Sequence, residues 1–185
     1  NYTVTSGPAN GSLSGTAPDL TYIPDANYFG SDSFTFKIDD GQLDSLEATV
    51  SITVDPVNDA PLAEAQSLQT TENTPLAITL SGSDVEGSPL TFTVTSGPAN
   101  GALSGTAPDL TYTPNPGYVG SDSFTFTTYD GTATSDPSIV SITVTEVNDP
   151  PSAFGQDLST DEDTPLGITL TGDDPDGDPL SFMVV

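Results

Sequence analysis

The sequence predicts an all-β fold: a head-to-tail array of seven-stranded β-sandwiches with a period of 90 residues. Three observations predict it. The stretch TSGPANG-x-LSGTAPDLTY occurs at residues 5–22 and again at 95–112. The offset holds along the chain without insertion or deletion: Phe34 maps to Phe124, Asp40 to Asp130, Asn58 to Asn148, Glu72 to Glu162 and Asp84 to Asp174. A fixed period of this kind marks an array of like modules. Short segments alternate apolar and polar residues with period two, and none carries a helical period. Gly, Pro, Asn and Asp gather between those segments, which is turn chemistry.

Residues 59–148 form one module in full. Residues 62–68 alternate weakly and are expected to be an edge strand. Residues 76–80 (LAITL) and 90–94 (LTFTV) follow, then short pieces around Leu103 and around Leu110-Thr111-Tyr112. Residues 124–126 (FTF) and 140–144 (VSITV) close the set. The clusters SGPANG, PNPGYVG and YDGTATSD separate them as turns. Residues 1–58 are expected to supply the last five strands of a preceding module, and residues 149–185 the first two and most of the third strand of a following one. The chain opens inside the strand Tyr2-Thr3-Val4-Thr5 and stops inside its counterpart Phe182-Met183-Val184-Val185. It is therefore expected to be a window on a longer polymer, with any secretion signal or anchor outside it. A module of 90 residues can bury a core of its own with little margin.

The charge balance narrows function. One basic residue, Lys37, stands against 27 acidic ones, with no His and a net charge of −26. Such a chain is repelled by nucleic acid and by anionic lipid. It has no apolar run long enough to enter a membrane. Low hydrophobicity with high charge is also a signature of disorder, but the regular alternation opposes that reading. Self-repulsion disfavours compaction unless cations neutralise part of it. With no Cys, disulfides and redox chemistry are excluded.

The acids collect in loops. Antiparallel strands alternate direction, so alternate loops share an end. The loop 84–88 and the loop around Asp130 are expected at the upstream end. The loop 71–74 and that around Asp122 are expected at the downstream end. The linkers Val57-Asn58-Asp59-Ala60-Pro61 and Val147-Asn148-Asp149-Pro150-Pro151 run between modules. The first junction thus offers Asp32, Asn58, Asp59, Asp84, Glu86 and Asp130. The second offers Glu72, Asp122, Asn148, Asp149, Asp174, Asp176 and Asp178. Carboxylates with amide and backbone oxygens, and no His or Cys, suit a hard cation. Calcium accepts six to eight oxygens in flexible geometry, whereas magnesium holds a stricter octahedron, so calcium is predicted.

Taken singly, each of these acids is more simply a turn-former, since Asp-Gly and Asn-Gly are common turn dipeptides. Several acidic loops at one end argue for a shared cation, because bare carboxylates repel. Asp174-Pro175-Asp176-Gly177-Asp178 is not an EF-hand. Its Gly comes fourth, and Val185 stands where a bidentate Glu is required. Paired carboxylates serve glycosidases, but here they repeat in linker loops without a nucleophile or an aromatic cleft, so no enzyme is predicted. Tyr28 and Tyr118 are read as packing residues. Asn1-Tyr2-Thr3 and Asn10-Gly11-Ser12 match short glycosylation sequons that arise often by chance.

Together VNDAP, TENTP, TDEDTP, DPDGDPL, SGPANG and GSDSFTF followed by a DG turn resemble the cadherin-like, immunoglobulin-like tandem repeats of giant bacterial surface adhesins. These include VCBS-type repeats and the extender regions of type I-secreted adhesins. The resemblance covers the whole chain. It implies an extracellular, calcium-stiffened extender, at the bacterial surface or secreted, that holds a binding domain away from the cell. By analogy with cadherins, Asn58 and Asp59, or Asn148 and Asp149, would hold ions with loop acids of the neighbouring modules of the same chain. Two departures weaken the first junction: Ser88 replaces the last acid of the triplet, and Asn73 stands where Asp163 does later. The rival reading is a self-assembling fibre or matrix protein whose cut modules complement one another head to tail. A merely solvated acidic coat would place acids on strand faces, whereas these are mainly in loops.

Overall fold

Alternating segments become strands where a partner strand lies within the chain. The computed structural model describes residues 1–184, and every regular element among them is a β-strand. In the first part these are β1 (Tyr2–Ser6), β2 (Gly11–Thr16), β3 (Asp19–Pro24), β4 (Gly30–Ile38) and β5 (Ala48–Val54). The complete sandwich comprises β6 (Leu62–Ala63), β7 (Gln66–Thr71), β8 (Leu76–Thr79), β9 (Gly82–Ser83), β10 (Thr91–Ser96), β11 (Gly101–Thr106), β12 (Asp109–Pro114), β13 (Gly120–Tyr129) and β14 (Ser138–Thr145). Two short strands follow, β15 (Ser152–Ala153) and β16 (Gly172–Asp173).

One sheet of the complete sandwich has the order β10-β13-β14-β7, and the facing sheet β11-β12-β8, with β6 paired to β9. All pairings are antiparallel except β7 with β14, which run parallel from Gln66 beside Val140 to Thr71 beside Thr145. The core lies between the sheets. Tyr112, Phe124, Phe126, Val140, Ile142 and Val144 are buried, with Ala63, Ile78, Leu80 and Leu110 closing over them. The rings of Phe92 and Phe126 meet at 6.2 Å between centroids. No helix among the described residues is long and apolar enough to cross a membrane.

The all-β class and sandwich order follow the sequence reading, with three differences. The weak segment 62–68 is two strands with different partners: β6 pairs with β9 in a two-stranded ladder, and after Glu64 and Ala65 β7 joins β14 in the four-stranded sheet. The FTF segment is the middle of a ten-residue strand whose Asp122, Phe124, Phe126 and Thr128 all face inward. Residues 149–184 yield only β15 and β16. Their counterparts of β7 and β8 lie outside any ladder, because these residues include no equivalent of β14 or β12 to receive their backbone groups.

Gly101 opens β11 where it crosses the buried Tyr112. A Cβ at this position would stand 2.7 Å from the Thr113 carbonyl oxygen and collide with the Tyr112 ring; Gly11 meets Tyr22 in the same way. Gly101→Ala is expected to cost about 2 kcal/mol through overpacking, seen as a lower melting midpoint in thermal or urea unfolding of the chain.

Candidate functional site

At the upstream end of the complete sandwich, the linker is tied to both neighbouring loops. The Asp59 N–H donates to Glu86 Oε2 at 3.1 Å. Asn58 Nδ2 donates to Asp130 Oδ2 at 2.9 Å and to the Asp59 carbonyl at 2.9 Å. Asp130 Oδ1 in turn accepts the Thr132 and Ala133 N–H groups. The Ala133 N–H foremost, with Asn58 and Thr132, holds the Asp130 carboxyl below the usual carboxylate range against the effect of burial.

In the loop 84–88, Asp84 Oδ1 accepts the Ser88 N–H at 2.8 Å. Its Oδ2 is buried without a hydrogen-bond partner. A cleft of about 310 Å³ runs between Asn27, Tyr28 and Phe29 on one side and Asp59 and Glu86 on the other.

The downstream junction repeats the plan. Glu72, which is buried, accepts the Val147 N–H at 3.0 Å on Oε1. The Asp149 N–H donates to Asp176 Oδ2 at 2.6 Å, the counterpart of Asp59 with Glu86. Asn148 Nδ2 bonds the Asp149 carbonyl. Asp174 Oδ1 gathers the N–H groups of Asp176 and Asp178, and Gly177 adopts a φ of 78° to let the loop fold over it. That conformation explains the glycine at the loop's fourth position. A cleft of about 270 Å³ is lined by Glu72, Gly117, Glu146, Asp149 and Asp176.

Two predicted junction acids sit elsewhere. Asp122 lies on the inward face of β13, where it accepts from the Ala99 N–H (2.9 Å), the Asn100 N–H (2.9 Å), the Ser123 N–H (2.9 Å) and the Tyr112 hydroxyl (2.8 Å). Asp32 makes the equivalent set with Ala9, Asn10, Ser33 and Tyr22. Loop counting placed these acids at the junction, and the pleat turns them into the sandwich. They pin the SGPANG turn to the long strand.

Burial alone would push the Asp122 carboxyl up. The Tyr112 hydroxyl and the three N–H groups outweigh it and hold the carboxyl below its ordinary value. Burial, reinforced by hydrogen bonding to Asp32, pushes the Tyr22 hydroxyl up to about 12, and Tyr112 shifts in the same direction.

Glu146 was not singled out by the sequence reading. It lies beside the linker, and because Pro56 is its counterpart 90 residues earlier, the period gave no signal for it. Among the described residues, no three acidic side chains stand grouped as a metal cage. The junction carboxylates instead hold backbone N–H groups, and Asp178 contributes an N–H to its loop and lines neither cleft.

Residues 1–53 and 58–143 match the family described as Bacterial Ig domain. The chain belongs to this family. Among curated proteins none matches. Among solved structures, this bacterial Ig chain is similar to the endo-fucoidan hydrolase MfFcnA4 from glycoside hydrolase family 107, at 32% identity over 80% of the chain and 23% of that one, with a TM-score of 0.41. It is also similar to the protocadherin GammaB4 extracellular domain, at 16% identity over 86% of the chain and 29% of that one, TM-score 0.53. Protocadherin Gamma B2 extracellular cadherin domains 3–6 match at 15% identity over 86% and 44%, TM-score 0.51. The chain thus spans under a quarter of the hydrolase and under half of either protocadherin. The protocadherin likeness is one of fold, a cadherin-like succession of sandwiches.

Asp122→Ala leaves the Tyr112 hydroxyl and two loop N–H groups without their acceptor and is expected to cost about 3 kcal/mol, read from unfolding midpoints. A carboxyl held low by folding adds stability above its unfolded value of about 3.9 and loses it as pH falls through the lower folded value. The melting gap between the parent chain and Asp122→Asn is therefore expected to be full at pH 7 and to shrink below about pH 4. A gap constant down to pH 2 would contradict the assignment.

Proposed function

We propose that this chain is a non-catalytic spacer of a bacterial extracellular or surface protein, whose junctions calcium stiffens. The reading rests on one recurring arrangement. At both junctions the linker Asp donates its backbone N–H to a loop acid of the following module, Glu86 or Asp176, beside further acids from the same region.

The donor types suit a hard cation, being all oxygen, and an ion would have to draw together side chains that stand apart in this structure. The buried Asp84 Oδ2, without a protein partner, is the kind of oxygen that a cation satisfies. Asn58, Asp59, Asp84, Glu86 and Asp130 would hold the upstream ion. Asn148, Asp149, Glu72, Glu146, Asp174 and Asp176 would hold the downstream one. Bound calcium supplies positive charge that relieves the repulsion between these carboxylates. The chain's own part is to bring loop acids to the linker, from both modules at the downstream junction where Glu72 and Glu146 face Asp176, and to limit its bending. Asp32 and Asp122, fully engaged inside their sandwiches, take no part. The extracellular placement and the adhesin role of such a spacer rest on the bacterial Ig family, the cadherin-like fold and the sequence motifs.

Extracellular calcium modules bind at about 0.1–1 mM. At ten times the dissociation constant, one site adds about 1.4 kcal/mol. Calcium is expected to raise the melting midpoint of the chain and to narrow the distribution of overall lengths in small-angle scattering, with EGTA reversing both. Asp176→Asn combined with Glu86→Gln is expected to weaken the response to calcium without lowering the calcium-free melting point. Scattering and melting curves that superimpose with calcium and with EGTA would refute the reading.

A further inference from the structure

One side of the complete sandwich carries no charge. Residues 87–108, which supply β10, the SGPANG turn and β11, include no acid and no lysine, although the chain holds 27 acids. Both strands are edges: β10 ends the four-stranded sheet and β11 ends the facing one. Between them opens a groove of about 630 Å³, lined by Phe92, Val94, Pro98, Leu103, Ala107 and Leu110. Phe92, Val94 and Leu103 are only half-buried there. Every residue of this side belongs to the complete period.

Edge strands are commonly blunted by lysine, proline or an inward-pointing charge. β10 has none of these, and its bulge comes only after Val94. Its counterpart β1 has Lys37 directly opposite Thr3, where Thr127 stands opposite Thr93. Which backbone groups of β10 are free follows from the alternation of an antiparallel ladder. In the preceding copy Asn1 and Asp39 exchange both backbone bonds, so the N–H and C=O groups of Tyr2 and Val4 face away from β4. One period on, those of Phe92 and Val94 face away from β13, and Thr93 serves the ladder.

The occupant of this edge must bring an extended backbone to meet Phe92 and Val94. It must also be apolar toward the groove, where an unpaired charge would lose its hydration. A basic segment finds no acid along residues 87–108. A second copy of β10 meets both requirements, and this neutral side is where two acidic chains repel least.

We propose that β10 of one copy pairs side by side with β10 of a second copy, antiparallel, about a two-fold axis at Thr93. Phe92 then lies opposite Val94 of the other copy in a hydrogen-bonded pair, and the two Thr93 residues form the closer, non-hydrogen-bonded pair. The axis stands perpendicular to the sheet, so both β11 strands lie on one side and the two grooves run together. Phe92, Val94 and Leu103 of each copy cover those of the other, and the two four-stranded sheets become one of eight strands. The contact is isologous. An edge about 17 Å long buries on the order of 1,000 Å² in all, the lower bound for a specific interface, so the association is weak.

No junction acid takes part, so the test is made in EGTA, with about 0.5 M NaCl to screen repulsion between copies. Because the chain has no cysteine, the axis can be located directly. Thr93→Cys chains are expected to form disulfide dimers under mild oxidation about tenfold faster than Ser141→Cys chains, since paired thiols meet at a high effective concentration. Ser141 is exposed on the same face, two strands inward. Thr93 is exposed too, so Thr93→Lys is expected to keep the melting midpoint while placing like charges opposite each other. In sedimentation velocity the parent chain is expected to shift to larger species as concentration rises. Thr93→Lys is expected to weaken that association about tenfold, although it lowers the net negative charge. Equal disulfide rates at the two positions, or association indifferent to Thr93→Lys, would overturn the proposal. A parent chain monomeric at every concentration would overturn it as well and leave the edge to an extended segment of another protein.

Discussion

Every strand in this molecule exists because another segment within one 90-residue period receives its backbone N–H and C=O groups. A β-strand satisfies none of its own polar groups, and leaving them buried and unpaired costs more than an isolated hairpin recovers. The same alternating residues are therefore ordered where the period is complete and stay outside the ladders where it is not. Leu76-Ala77-Ile78-Thr79 is a strand because β12 is beside it, while Leu166-Gly167-Ile168-Thr169 is not, for want of an equivalent neighbour. Core burial and the position of the junction loops both follow from that one requirement.

Within a complete period the second organising contact is polar. Asp122 and Tyr112 sit among the aromatic and aliphatic core, and the carboxylate gathers two consecutive N–H groups of the SGPANG turn. A buried charge is tolerable only when its acceptor capacity is filled, and here the fold fills it. The turn is then held in place by a charge-assisted network rather than by its own dihedral preferences. This accounts for the near identity of residues 5–22 and 95–112, since turn, glycine, tyrosine and acid are geometrically one unit.

Period, turn chemistry and alternation were enough to read the all-β class and its immunoglobulin-like sandwich. Hydrogen bonding was the part they left dark. Asp122 reads as a loop acid because it follows the GS turn two residues after Gly120, and only the pleat of β13 shows that it faces inward with Phe124 and Phe126. Residues 62–68 read as one weak strand because a change of pairing partner, from β9 to β14, leaves no mark in an alternation pattern. Glu146 escaped because it breaks the repeat, so a search for repeated acids passes over it. Topology put Glu86 and Asp176 near the linkers as cation ligands, but not the bonds they accept there from the Asp59 and Asp149 N–H groups.

The parallel pairing of β7 with β14 carries a mechanical consequence. One strand lies just after the point where the chain comes into the sandwich, and the other just before it leaves, and the two run side by side over six residue pairs. A pull along the chain draws them past each other lengthwise. The ladder is therefore loaded in shear, with its bonds strained together, rather than peeled one at a time from an end. A module built this way resists extension by sharing the load across the whole ladder.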